Sequence, residues 1–284
     1  MIETVLLPFQ YPFMNKAFLI MAIIAVPTSL LSCYLVLKGW SLMGDAISHA
    51  VLPGIVVAYI LNIPLMIGAF CAGMVCALAT GFLAQNSRVK EDTIMGIVFS
   101  GMFGVGLVLY TKITTDVHLD HVLFGNMLGV AADDLWIAGI TAAVVASVIL
   151  LKQHEFLLHT FDPVQARAVG LRVGWLHYGL LSMISLTIVA TLSAVGIILS
   201  IGLLIGPGAI AFLLTKRFSQ MLLLAVGVTL LSGFLGVYLS FFLNSAPAPT
   251  VILVMTGFFI VAFIRAGRRR RKLSMQLTDL PLNS

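Results

Sequence analysis

Gly44-Asp45-Ala46-Ile47-Ser48-His49-Ala50-Val51-Leu52-Pro53-Gly54 holds the one formal charge between Lys38 and Arg88, the carboxylate of Asp45, and a histidine four positions on. In apolar surroundings an ionisable group costs about 2.5–3.5 kcal/mol on insertion scales, and it marks a place where something is bound or moved. On a helix, a spacing of four puts both side chains on one face, one turn apart. Asp45 and His49 then form a two-ligand arm for a divalent cation. Two plainer roles fit the same residues: Asp45 can cap a helix starting at residue 46, and His49 can be a hydrogen-bonded histidine inside a bundle.

The composition around this stretch restricts the fold. Of 284 residues, 60% are hydrophobic and 10% charged, with a mean hydropathy of +1.10. That is too little polar surface to cover a soluble core, so the chain reads as an all-α polytopic membrane protein. Residues 1–15 hold no basic cluster ahead of an apolar core, so no cleaved leader is expected. Apolar runs follow at 17–37, 46–61, 64–84 and 93–111, then at 135–151. Two longer uncharged runs, 178–215 and 218–264, each exceed one crossing. The first is expected to break near Ser193-Ala194-Val195-Gly196, the second near Asn244-Ser245-Ala246-Pro247-Ala248-Pro249. The result is one transmembrane domain over 1–284 with about eight or nine spans, a polar loop at about 152–176 and a basic tail at 265–284.

Lys and Arg orient this arrangement. With the 152–176 loop in the cytoplasm, alternation also places Lys38, Arg88, Lys90, Lys216, Arg217 and the tail inside, leaving Lys16 and Lys112 outside. The carboxyl terminus is then cytoplasmic. The Arg268-Arg269-Arg270-Arg271-Lys272 run reads as a stop-transfer signal and lipid-headgroup anchor. No aromatic or further basic pattern accompanies it, so nucleic acid is not an expected partner. Cys33, Cys71 and Cys76 lie in apolar runs without a Cys-x-x-Cys pair and act as small hydrophobes.

No phosphate loop, dinucleotide fingerprint, His-Glu-x-x-His or nucleophile triad occurs, so no catalytic residue, enzyme activity or intrinsic cofactor is expected. The later apolar runs carry no charge, thin provision for a carrier driven by protons or sodium. An energy source in another chain would need a docking surface. Phe161-Asp162-Pro163-Val164-Gln165-Ala166-Arg167-Ala168-Val169-Gly170 supplies one, with Asp162 as cap, Pro163 in the first helical position, Ala166 near the helix end and Gly170 as the stop. An ordinary interfacial helix has the same spacing. His118, Asp120 and His121 form a second candidate metal cluster, since His118 and His121 share a helical face; solvated loop residues would look alike.

The stretch from Lys38 to Gly54, with Phe161-Asp162-Pro163 and Gly206-Pro207-Gly208-Ala209-Ile210-Ala211, resembles the manganese/zinc/iron permease family of bacterial ABC importers. The resemblance covers nearly the whole chain, and Asp116 to Met127 is most similar to the manganese/iron branch. It implies a fold like the vitamin-B12-type importer permeases in the bacterial inner membrane. Also implied are a second permease subunit, the same or related, cytosolic ABC ATPases, and a periplasmic or lipid-tethered metal-binding protein. The family's metal ligands fall on Asp45 and His49, and its docking helix on Asp162, Pro163, Ala166 and Gly170. Carboxylate and imidazole suit Mn²⁺, favoured here, then Fe²⁺ or Zn²⁺. Readings of another class are a secondary cation transporter or channel with an Asp45/His49 relay, and a membrane scaffold.

Overall fold

The computed structural model describes residues 6–112 and 127–278. Within them the chain forms helices α1 (Pro12–Lys38), α2 (Met43–Ile60), α3 (Leu65–Asn86), α4 (Glu91–Thr111), α5 (Ala132–Leu151), the short α6 (Gln153–Phe161) and α7 (Pro163–Ala168), then α8 (Val173–Leu214), α9 (Phe218–Leu243) and α10 (Pro247–Thr278). A 3₁₀ turn precedes α1 and another precedes α5. Eight of these helices are long and apolar enough to cross a membrane. As helices the uncharged runs satisfy their backbone groups in lipid, with the hydrogen bonds kept inside each segment.

The eighth helix holds the main topological feature. At 42 residues it is too long for one crossing, and Gly196 inside it has φ 82 and ψ 173, a conformation open to glycine but strained for other residues. The chain folds back there. His177, near the start of α8, packs edge-on against Trp40 with ring centroids 5.3 Å apart. Near its other end, the Gly208 N–H donates to Ser32 Oγ at 2.8 Å, and Leu214 and Thr215 line a cavity with Leu37. A straight helix would set His177 and Thr215 about 57 Å apart. Both ends of α8 therefore lie at the Lys38 end of the bundle, and the eight helices make nine passes, with the break at the expected place. At the opposite end, Ala194 and Val195 are buried in one cluster with Met14, Met127, Ala248 and Val251.

Alternation through these passes gathers Lys38, Arg88, Lys90, Lys152, Arg167, Arg172, Lys216, Arg217, Arg265, Arg268 and Arg269 at the end that carries α6 and α7. Among the described residues, Lys16 and Lys112 lie at the other end. Several helix limits differ from the expected ones, and α2 and α5 each start three residues early, at Met43 and Ala132. α1 starts at Pro12, α8 starts at Val173, and α10 continues well past residue 264 because its basic turns still make good helix. Asn244 adopts a left-handed conformation and closes α9 ahead of Pro247, as the Asn/Pro cluster predicts. Small residues of α8 serve packing: side chains at Gly202 and Gly206 would collide with Ile252 and Met255 of α10.

Candidate metal centre and docking loop

α2 begins at Met43, and its cap position, Leu42, has no side-chain cap bond. Asp45 therefore stands inside the first turn and is not the cap that the sequence also allowed. Its negative charge is favoured there by the helix dipole. Asp45 Oδ1 lies 3.4 Å from His49 Nε2, with the two side chains 34% and 29% exposed. This is a loose pair, open on one side. Ile47, on the opposite face, is buried, as are Ala46 and Ala50. The imidazole is braced by two rings one turn apart on α4, Phe99 at 5.9 Å and Phe103 at 5.4 Å, the latter edge-on at 76°. Pro53 has no N–H to give the His49 carbonyl, so that oxygen loses its ordinary helical donor beside the pair.

Backbone contact fixes the position of this helix. A Cβ at Gly54 would fall on the Gly68 carbonyl and Ala72, and one at Gly68 on the Gly54 carbonyl and Ala58. On the other side Gly106 of α4 leaves room for Pro53. Gly68→Val is expected to destabilise the protein by about 1–3 kcal/mol through overpacking. The check is the thermal midpoint in detergent; an unchanged midpoint would mean that α2 and α3 do not touch through their backbones.

Among the described residues no group of three or more His, Cys, Asp or Glu side chains comes together, so Asp45 and His49 stand as a pair. His118, Asp120 and His121 lie outside the described residues. In the candidate docking loop the cap and the stop form as the local chemistry predicts. Asp162 Oδ1 accepts from the N–H groups of Val164 and Gln165, both at 2.9 Å, Pro163 opens α7, and Gly170 has φ 85. Ala166 is fully buried, so it anchors the helix to the bundle and is not on its outer surface. Phe161, Val164 and Val169 are instead 66%, 76% and 61% exposed, an apolar surface that sequence reasoning missed. Its signal was available: apolar residues flanking a capped six-residue helix cannot all be buried.

A second unforeseen group lies where α6 meets α1. Lys38 Nζ is 3.0 Å from His159 Nε2 and 4.1 Å from the centre of the Trp40 ring. Burial, followed by the charge of Lys38 and smaller effects of His177 and Arg167, lowers the His159 pKa to about 4. His159 is therefore neutral at physiological pH.

Nine apolar passes, an ionisable pair in an uncharged stretch and a capped surface loop with exposed apolar residues define a polytopic membrane protein. The ABC 3 transport family matches residues 10–266, and the chain belongs to that family. It is similar to the chelated iron transport system membrane protein YfeD of Yersinia pestis, at 56% identity over 261 residues, 90% of this chain and 86% of that one. It is also similar to the manganese transport system membrane protein MntB of Synechocystis sp., at 47% identity over 261 residues, 92% and 85% of the two chains. Among solved structures it is similar to PsaBC from Streptococcus pneumoniae in complex with Fab, with a TM-score of 0.82 and 31% identity over 93% of this chain and 95% of that chain. The protein is thus a permease subunit and not an enzyme, and ATP hydrolysis belongs to a separate subunit. The self-sufficient carrier and the scaffold are set aside.

Proposed function

We propose that this permease passes Mn²⁺ and Fe²⁺ across the bacterial inner membrane, that Asp45 and His49 are its ligands for the moving ion, and that the loop from Asp162 to Gly170 docks the cytosolic ATPase. The observation that carries this reading is the open Asp45/His49 pair, 3.4 Å apart and held by Phe99 and Phe103. One carboxylate and one imidazole suit borderline divalent ions without separating manganese from iron. Two protein ligands hold an ion loosely, which conduction requires, and a second permease subunit, the same or a related chain, would complete the set. A metal-binding protein outside the membrane, periplasmic or lipid-tethered, delivers the ion. The whole chain acts as one permease domain.

Metal-resolved uptake in cells with and without the gene, read by mass spectrometry with Mn²⁺, Fe²⁺ and Zn²⁺ supplied in turn, tests the cargo. Loss of Mn²⁺ and Fe²⁺ accumulation on deletion is expected, and unchanged accumulation of both would overturn the assignment.

The basic end of the bundle faces the cytoplasm in this reading, with the carboxyl terminus inside. Cysteines at the exposed positions Ser219 and Ala246 should react with impermeant reagent from opposite sides, Ser219 from the cytoplasm and Ala246 from outside. Labelling of Ala246→Cys from the cytoplasm would invert this orientation.

A further inference from the structure

Three contacts join α6, which leads into the docking loop, to the last two turns of α1. Tyr34 donates its hydroxyl to the Gln153 carbonyl at 3.3 Å, its ring packs edge-on to Phe156 at 6.1 Å, and Lys38 donates to His159. Positions 34 and 38 share one face of α1, and 153, 156 and 159 recur along α6 every three residues. The two helices are therefore tied over more than a full turn of each.

From Lys38 the contact continues toward the metal pair. A tight, doubly bonded turn closes α1: Gly39 N–H reaches the Val36 carbonyl at 3.3 Å and Trp40 N–H the Leu35 carbonyl at 2.8 Å. The Trp40 carbonyl then accepts from Met43 N–H at 3.0 Å, so the turn runs straight into the first residue of α2, two positions ahead of Asp45. Lys38 covers the Trp40 ring, whose edge meets His177, and His177 lies 6.0 Å from His159. α6, the end of α1, the start of α8 and the turn leading into α2 meet in this one cluster.

Its hydrogen bonding is incomplete. An ammonium can only donate, so His159 Nε2 accepts and the proton sits on Nδ1. That Nδ1, Trp40 Nε1 and His177 Nε2 are all buried and have no hydrogen-bond partner among the described residues, with Trp40 and His159 each only 2% exposed. Buried unpaired groups are costly, and three of them within one cluster call for an explanation. An element with two arrangements, in which such groups pair in turn, supplies one. The two histidines are not a further metal site, because the Lys38 ammonium occupies the ring nitrogen of one of them.

We propose that Lys38, Trp40 and His159 link the docking loop to the helix carrying Asp45 and His49, with His159 as the positioning residue through which displacement of the loop moves the metal pair. This rests on the assignment of that loop and that pair given above.

The test uses the complete transporter in proteoliposomes, with Mn²⁺ uptake and ATP hydrolysis read in the same vesicles. His159→Leu should still co-purify the ATPase and hydrolyse ATP, while Mn²⁺ moved per ATP falls by at least about tenfold, within the usual range of coupling between sites. His159→Gln keeps an acceptor for Lys38 and should restore most of the ratio. Lys38→Met removes the same bond from the other side and should reproduce the loss, which keeps the test available if His159→Leu does not accumulate. An unchanged ratio in His159→Leu or Lys38→Met, or a His159→Gln as uncoupled as His159→Leu, overturns the link alone. A wild-type complex that binds no ATPase or moves no Mn²⁺ overturns the functional reading, and the link with it.

Discussion

Asp45→Asn abolishes Mn²⁺ uptake while the permease still inserts and still binds its ATPase: that is the expected result with the largest effect. The substitution preserves size and hydrogen-bonding capacity and removes the charge. Because α2 starts at Met43, Asp45 is not capping it, so no cap is lost or needs replacing. What disappears is the carboxylate, which supplies most of the attraction for a hard or borderline divalent ion. Loss of a direct ligand should exceed about a hundredfold in uptake rate, the upper end of what even an outer-shell partner of a metal site contributes. His49→Ala should match it. Initial uptake rates by mass spectrometry, normalised to permease in the membrane, decide the matter. A wild-type rate in Asp45→Asn would remove the ligand assignment.

The second large effect concerns the loop. In Asp162→Ala combined with Gly170→Val, the ATPase should no longer co-purify, while the membrane bundle keeps its thermal midpoint. Asp162 holds two N–H groups at the start of α7, worth about 1 kcal/mol as a cap. Valine in the left-handed conformation of Gly170 adds about 1–2 kcal/mol of strain. A six-residue helix has little stability of its own to set against these losses. Full co-purification and normal uptake by the double variant would show that coupling runs elsewhere.

Both predictions rest on residues legible in the sequence, for physical reasons that differ. Asp45 and His49 stood out because lipid makes charge rare. Asp162, Pro163 and Gly170 stood out because caps and stops depend on chemistry within a few residues. The reversal near Gly196 was readable because a 38-residue uncharged run cannot be one crossing. Whether Asp45 capped its helix was not readable, since that turned on a three-residue difference in where α2 begins, and helix ends are weakly specified locally. Nor could the sequence show that Gly54 and Gly68 meet, that Ala166 faces inward, or that Lys38 finds His159 121 positions away. Those facts belong to the packing of helices, which side-chain periodicity in uniformly apolar segments scarcely encodes.

The one-residue reversal inside α8 also bears on biogenesis. Between its two arms lies no polar segment that an insertion machinery could pass across the bilayer, and the nearest flanking charges, Arg172 and Lys216, Arg217, stand at the same end. The two arms therefore share basic residues at one end only, and by the positive-inside bias both are oriented from the base of the hairpin. Toward that base the second arm meets α1, where the Gly208 N–H donates to Ser32 Oγ.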